Sequence, residues 1–553
     1  MRVLLERGFV VDGSGSPGYL ADVLIEDDQI LEIARRSPES STDSGSIKAD
    51  RKIDCEGLVV APGFIDLHSH NDWFVDRPDR AEFHAPFTAQ GVTTFVTGNC
   101  GFGAAGFRPA TPHARLIVDN IFSGGRDGLD DAAPGQGALP WYSMSEYFDC
   151  LESRGLSHNV LTLAGHGTTR TSLRGFDPSP LRPDEEREML YLLEQALDEG
   201  AGGLSLGLQY EPGFFATRDE IDAVARLARS RDRLLTVHAK AYSSISGTYP
   251  LRPFGQAHNL IAIQDMLDVA RRTGVRLQFS HLNFVGSRTW RTVDRALELF
   301  DRAVADGVDV CFDIFAHNCG ASIVNVVLPE WFLARMPGVL DDRRALMRLR
   351  AEIFLMSKLL GFGYDEIQIA HGNHPDLCDC HGMTTTEIAK FRNLSKFDNF
   401  ADLIRESGGR ARVLMHRHNN LELTDRLMRH SASLFMTDAW IEPEGLQNPA
   451  AFGTYPNFLE RTRKRGVLSL EGAIRKMTGG CADRVGIRDR GYLRPGLAAD
   501  ITVFDLDRVQ DNTTRRYTDR KPSGIEHVFL NGFQILQSGR VFDDARAGRL
   551  LFP

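Results

Sequence analysis

No stretch of this 553-residue chain approaches the ~20 uninterrupted apolar residues that cross a bilayer, so a membrane-spanning helix is not expected. A basic face is missing as well. The 64 Lys and Arg stand against 74 Asp and Glu, a net charge of -10, whereas a nucleic-acid partner calls for the opposite balance. Cysteine is sparse: eight are scattered over the chain, unlike the framework of a small secreted domain. The opening residues MRVLLERGFVVDGSG read as a strand and turn, with no secretory apolar core or small-residue cleavage site. With 42% hydrophobic and 25% charged residues, the composition gives no sign of disorder. The expectation is a reduced, soluble, cytoplasmic protein without a membrane or nucleic-acid partner. The oligomeric state, homo-oligomer included, stays open.

What is present has an order. Short β-rich runs occupy both ends, RVLLERGFVVDGSG and DVLIEDDQILEIA at the start, ADITVFDLDRV and IEHVFLNGFQILQSGRVF at the finish. Their similarity predicts one small β domain assembled from residues 1–58 and 486–553, with residues 38–52 as a loop within it. Between them, apolar strands alternate with amphipathic helices. Strands are predicted at Val59–Asp66, Thr93–Thr97, Asn159–Gly165, Gly203–Leu206, Arg233–Val237, Val275–Ser280, Val308–Ile314 and Ser433–Thr437. Helices such as Pro183–Glu199, Arg218–Arg229 and Asn259–Thr273 separate several of them. Eight strands in this alternation predict an α/β chain with a TIM-type (β/α)8 barrel over residues 59–485. The long gap before the last strand, Phe315–Arg429, reads as an insertion or lid, since barrel loops are commonly about two to six residues.

The chemistry lies at the strand ends. His68 and His70 in FIDLHSH are two residues apart, so an extended chain turns both imidazoles the same way. Cys100 closes strand two in VTGNCG, His238 and His281 close strands five and six, and Asp438 closes strand eight. Singly, each has an ordinary reading as a buried small hydrophobe or a satisfied polar group. Jointly they favour a metal site, because barrel strands converge at their C-terminal ends. A thiolate with imidazoles suits Zn²⁺. Zinc lowers the pKa of a bound water to ~7, and Asp438 is the natural general base for that water.

The stretches APGFIDLHSH, GVTTFVTGNCG, VLTLAGHGTTR, GLSLGLQYEPG, VHAK, FSHL and RVGIRDRGYLRPGLAADITVFD resemble the amidohydrolase superfamily, most closely its N-acyl-D-amino-acid deacylase (D-aminoacylase) family. The resemblance spans most of the chain except the insertion. It implies deacylation of an N-acyl-D-amino acid, or of a related small N-acyl compound. It implies one tight zinc on Cys100, His238 and His281, with a weaker second position at His68 and His70. Cys100 then replaces the carboxylated lysine that ends strand four in many amidohydrolases. Tyr210 matches a tyrosine that polarises the scissile carbonyl. The family's substrate lysine is replaced by Asn283, and its tyrosines after strand seven by Phe315 and His317. Ser322 is retained as one anchor, with Lys240 and Arg170 as alternative cations.

Two competing readings remain. A cyclic-amide hydrolase of the hydantoinase or dihydroorotase type shares fold and metal chemistry, and Cys100 counts against it. A metal-free barrel scaffold is opposed by the presence of every ligand type. The cluster His371, His374, Cys378, Cys380 and His381 in HGNHPDLCDCH permits a structural zinc but matches no standard finger spacing. A loop touching substrate or a neighbouring subunit is its other reading.

Overall fold

The computed structural model describes residues 1–36, 48–77, 80–118, 140–250 and 255–553. At its centre stand eight parallel strands: Phe64–Asp66, Val92–Thr97, Asn159–Thr162, Gly203–Gly207, Leu234–His238, Arg276–Phe279, Val310–Ile314 and Ser433–Phe435. They are apolar on both faces because one face fills the barrel and the other meets helices. Strands one to three form one ladder. Ala164–Gly165, the continuation of strand three, starts the second ladder and leads through strands four to eight.

The seam between strands eight and one closes differently. Thr437 donates from its backbone N–H and its hydroxyl to the two carboxylate oxygens of Asp66, at 2.9 and 2.5 Å. Beyond it, the Asp438 N–H donates to the His68 carbonyl at 2.9 Å, and the His70 N–H to the Ala439 carbonyl at 3.1 Å. Asp66 is fully buried, which pushes its carboxyl up to about 7. These bonds tie the chain segments carrying His68, His70 and Asp438 to one another. The fold is therefore the TIM-type barrel with a small β domain.

Helices Pro183–Asp198, Arg218–Ser230, His258–Thr273 and Val293–Ala305 surround the strands. The second of them starts where the Thr217 side chain accepts from the Glu220 N–H, and it buries Val224, Ala225 and Ala228. The expected strand Val59–Asp66 is in fact two. Val59–Pro62 pairs antiparallel with Ile501–Phe504 and parallel with Arg2–Val10, and only Phe64–Asp66 enters the barrel. Pro62 has no N–H to continue a ladder, which makes it a natural break.

The other strand group is a nine-stranded sheet drawing on both ends of the sequence. It curls over a core that includes Val3, Leu5, Val23, Ile25, Val60, Ile501, Val503 and Phe529. Between strands seven and eight, Gly320–Ile323, Arg412–Met415 and Ile367–His371 form a three-stranded antiparallel sheet. Helices Arg343–Leu360, Thr385–Phe391 and Lys396–Ser407 accompany it around a separate core containing Phe332, Leu349, Ile369, Phe400 and Val413. This unit rests on loops at the barrel mouth. The Phe284 N–H donates to the His418 carbonyl at 3.1 Å, the Arg288 N–H to the Leu360 carbonyl at 3.1 Å, and the Leu446 N–H to the Ala370 carbonyl at 2.8 Å.

Candidate metal centre

Cys100 is the hub. Its sulfur lies 3.3 Å from His68 Nε2, 3.5 Å from His238 Nδ1 and 3.5 Å from His281 Nε2. Two sets of ligand-type atoms share it: His68, His70, Cys100 and Asp438 form one, Cys100, His238 and His281 the other, each with its atoms within 4.8 Å of one another. Burial alone would raise the Cys100 thiol. The charges of His68 and His281, with hydrogen bonds from His238 and His281, outweigh burial and hold it well below the ordinary thiol value. Asp438 follows the same pattern. Burial would raise it, but His281, His70 and His68 hold its carboxyl well below the usual carboxylate range. Its Oδ1 sits 3.2 Å from His70 Nε2 and 3.4 Å from His68 Nε2.

A buried thiolate among imidazoles, with a carboxylate alongside, is a donor set that fits a borderline-soft cation such as zinc. Two of the histidines have a polar neighbour beside the ring nitrogen turned away from Cys100, an arrangement common among metal-binding histidines. His238 Nε2 donates to Gln209 Oε1 at 2.9 Å, the tautomer that leaves Nδ1 toward Cys100. His68 Nδ1 lies 3.6 Å from Asp313 Oδ1. Asp313 also accepts the His281 backbone N–H at 2.5 Å and the Gln278 amide at 2.9 Å.

The backbone is strained where the site is made. Cys100, His281 and Asp438 have φ of 56°, 34° and 54°, in the left-handed region that side chains disfavour. Each is over-determined by its surroundings. The Cys100 carbonyl accepts the Tyr210 hydroxyl at 2.9 Å, while His281 and Asp438 are held through their N–H groups by Asp313 and the His68 carbonyl. The loop after strand two also presses onto the end of strand four. A Cβ added at Gly207 would lie 2.1 Å from the Cys100 carbonyl oxygen, and one at Gly101 would lie 2.7 Å from the Gly207 nitrogen. The Gly101 N–H is fastened to Ser205 Oγ at 3.0 Å. The terminal residue of strand four thus has no space for any side chain, a lysine included.

The structure brings His68, His70, Cys100, His238, His281 and Asp438 together, with Tyr210 beside them. The Tyr210 ring is 4.7 Å from that of His238 and stacks on Phe102 at 5.4 Å. Asn283, two residues past His281, is buried with its Oδ1 lacking a hydrogen-bond partner among the described residues. Lys240 lies further out, its ammonium 4.8 Å from the Phe214 ring centroid and 5.8 Å from that of Tyr249.

Two expected substrate contacts are committed to other partners. Arg170 is wholly buried and held by Glu220 at 3.2 Å and the Ser179 carbonyl at 3.0 Å, beside His166, which also meets Glu220. Burying an arginine requires such a partner, so it serves helix packing. His317 is taken by Asp511 at 3.0 Å and Thr513 at 3.3 Å. Ser322 lies within the insertion's sheet, opposite Val413. The HGNHPDLCDCH side chains do not converge: among the described residues, only the two barrel sets gather three or more ligand-type groups. His371 and His381 lie side by side, 5.1 Å between ring centroids, but their ring nitrogens accept from the Asn373 and Gly372 N–H groups.

Sequence reasoning passed over Asp313, Gln209 and His418. The signal for Asp313 was available, since a carboxylate ending the apolar run VDVCFDI must find a partner when buried. Gln209 offered none. His418, from the insertion, projects between the loops after strands six and seven, near enough for His281 and Asp438 to act on its ionisation.

A cysteine sulfur shared by two sets of ligand-type groups at a barrel mouth is the site of a metal-dependent amidohydrolase. Comparison with known proteins agrees. The model of the Amidohydrolase family matches residues 361–535. N-acyl-D-glutamate deacylase of Alcaligenes xylosoxydans xylosoxydans is 31% identical, covering 99% of this chain and 96% of that protein. The crystal structure of N-acyl-D-glutamate deacylase from Bordetella bronchiseptica, complexed with zinc and a phosphonate mimic of the tetrahedral intermediate, is 26% identical. It covers 100% of this chain and 99% of its own, with a TM-score of 0.78. A D-aminoacylase with a binuclear metal center, activated by one metal and attenuated by the second, gives 26% identity, the same coverage and a TM-score of 0.77. The chain belongs to the N-acyl-D-amino-acid deacylase (D-aminoacylase) family of amidohydrolases. It is a hydrolase acting on carbon–nitrogen bonds other than peptide bonds.

Proposed function

We propose that the chain is a zinc enzyme that deacylates an N-acyl-D-amino acid or a related small N-acyl compound. The observation that carries this is the Cys100 hub beside Asp438. In this reading Cys100, His238 and His281 hold the tight ion, and His68 and His70, with Asp438 alongside, form a weaker second position. Zinc so held supplies an acidified water and a Lewis acid for the scissile carbonyl. Asp438 takes a proton from the attacking water and returns it to the leaving nitrogen. The neighbouring imidazoles hold the Asp438 carboxyl ionised, the form that can accept a proton. Tyr210, whose hydroxyl donates to the Cys100 carbonyl at 2.9 Å, turns its one proton from there to the substrate's carbonyl oxygen as charge builds on it. Asn283 and Lys240 remain as polar contacts for the amino-acid portion. Arg170 and His317 drop out through their fixed partners, and Ser322, on the insertion's sheet, is kept as one anchor.

The cyclic-amide reading is disfavoured by the absence of space for a strand-four lysine at Gly207. A panel of N-acyl-D-amino acids, N-acyl-L-amino acids and cyclic imides, run on zinc-loaded protein with metal analysis, tests the proposal. Turnover confined to cyclic imides, or full activity in metal-free protein, overturns it.

A further inference from the structure

The helix Arg343–Leu360 in the insertion has one face in the protein and another that no described residue covers. Ala345 and Leu349 are buried in the insertion's core. On the solvent side Met347 is 73% exposed, Phe354 65%, Leu355 55% and Leu359 38%. Large apolar side chains repeated along a solvated helical face are unusual in a protein that stands alone. Within the helix Arg343, Arg344, Arg348, Arg350 and Lys358 are all exposed, against a single acid, Glu352, with Asp341 and Asp342 just before its first turn. Glu352 is already taken by Arg348 at 2.8 Å and the Trp331 indole N–H at 2.9 Å. Lys358 lies over the Phe354 ring at 5.7 Å, so cation and apolar surface are intermixed. This is a basic amphipathic helix on a chain whose net charge is -10.

The charge selects the occupant. A symmetric contact with a second copy would set the same cations against one another. An anionic lipid surface accepts both features together: phosphates meet the cations and the headgroup boundary takes the apolar side chains. A second basic, aromatic patch adjoins this unit. Tyr517 is 47% exposed, with Arg520 and Arg516 over its ring at 4.4 and 5.7 Å. Neighbouring Arg515 donates to the Asp365 carbonyl at 2.7 Å, five residues past the helix.

We propose that the helix Arg343–Leu360 seats the protein on an anionic lipid surface, lying along the bilayer plane. This departs from the expectation of no membrane partner, which rested on the lack of a spanning run and does not bear on surface binding. The end of this helix is fastened to the loop beyond strand six, where the Arg288 N–H donates to the Leu360 carbonyl.

The test is co-sedimentation of the full-length, zinc-loaded protein with vesicles of phosphatidylcholine alone or mixed equally with phosphatidylglycerol. Binding is expected to the mixed vesicles, weakening as salt rises. Paired Phe354→Ser and Leu355→Ser, and separately Arg344→Gln and Lys358→Gln, are expected to weaken it about tenfold or more. Thermal stability and hydrolysis of a short, soluble N-acyl substrate should not change, since these side chains lie outside the site. The proposal is overturned by any of four results: no binding to mixed vesicles, equal binding to phosphatidylcholine, variants that bind like the wild type, or a dimer in sedimentation equilibrium that the Phe354/Leu355 variant converts to monomer. The last assigns the face to a second copy.

Discussion

Replacing Asp438 by Asn separates the base from the ligands. The backbone at this position has φ of 54°, which asparagine tolerates about as well as aspartate. An alanine there adds roughly 1–2 kcal/mol of left-handed strain and confuses the result. The N–H bond to the His68 carbonyl and the Asn448 amide bond to the Asp438 carbonyl both involve backbone atoms and survive. What changes is the carboxylate. The amide keeps the volume but has negligible basicity, so it accepts no proton from water. Positioned general bases contribute about 10²–10⁴-fold, which corresponds to about 2.7–5.4 kcal/mol of barrier. The expected outcome is a folded protein with wild-type zinc at the Cys100 hub and kcat lower by two to four orders of magnitude. Zinc is counted by plasma mass spectrometry on the same sample used for kinetics. Loss of zinc with full rate restored by added metal would make Asp438 chiefly a ligand. Undiminished turnover without added metal refutes the base assignment outright.

Three further substitutions probe the frame around it. Cys100→Ala removes the shared sulfur and is expected to release the tight zinc together with activity; full zinc and full turnover in that variant rule out the hub. Asp313→Asn should lower zinc affinity about 10–100-fold, as loss of a ligand-orienting group typically does, and competition with a chromogenic chelator measures it. Gly207→Ala drives a methyl group to within 2.1 Å of the Cys100 carbonyl oxygen. Overpacking of this kind costs ~1–3 kcal/mol, so Tm should fall by several degrees and zinc affinity should fall with it; an unchanged Tm and metal content would contradict the close packing.

Much of the barrel was legible in the sequence, because a strand buried on both faces leaves a plain apolar run. The run Gly203–Leu206 and the observed Gly203–Gly207 differ by one residue, and Arg218–Arg229 differs from Arg218–Ser230 by one. Ligand types at strand ends were legible for the same reason: His238 and His281 each terminate an apolar segment. Less visible was anything depending on contacts far apart in the chain. VVAPGFID reads as one strand, and only the partners of Val59–Pro62, some 440 residues away at Ile501–Phe504, divide it. Arg170 ends the family-like stretch VLTLAGHGTTR, yet Glu220 on another helix captures it. The solvent-facing side of Arg343–Leu360 could not be read at all, since an amphipathic pattern does not say which side of a helix the rest of the protein covers.

The closure at Asp66 and Thr437 bears on how the molecule comes to exist. His68 and His70 leave the ribosome about 370 residues before Asp438, and the whole insertion is made in between. Until Ser433–Phe435 arrives, strand one at one rim and strand seven at the other present unpaired edges, the kind of surface that seeds aggregation. Carboxylate and imidazoles therefore meet only when the nascent sheet becomes a ring. A chain cut short before Thr437 has strands, helices and most of the ligand-type residues, but also two open edges and no Asp438. The joint that closes the barrel is also the one that brings Asp438 to His68 and His70.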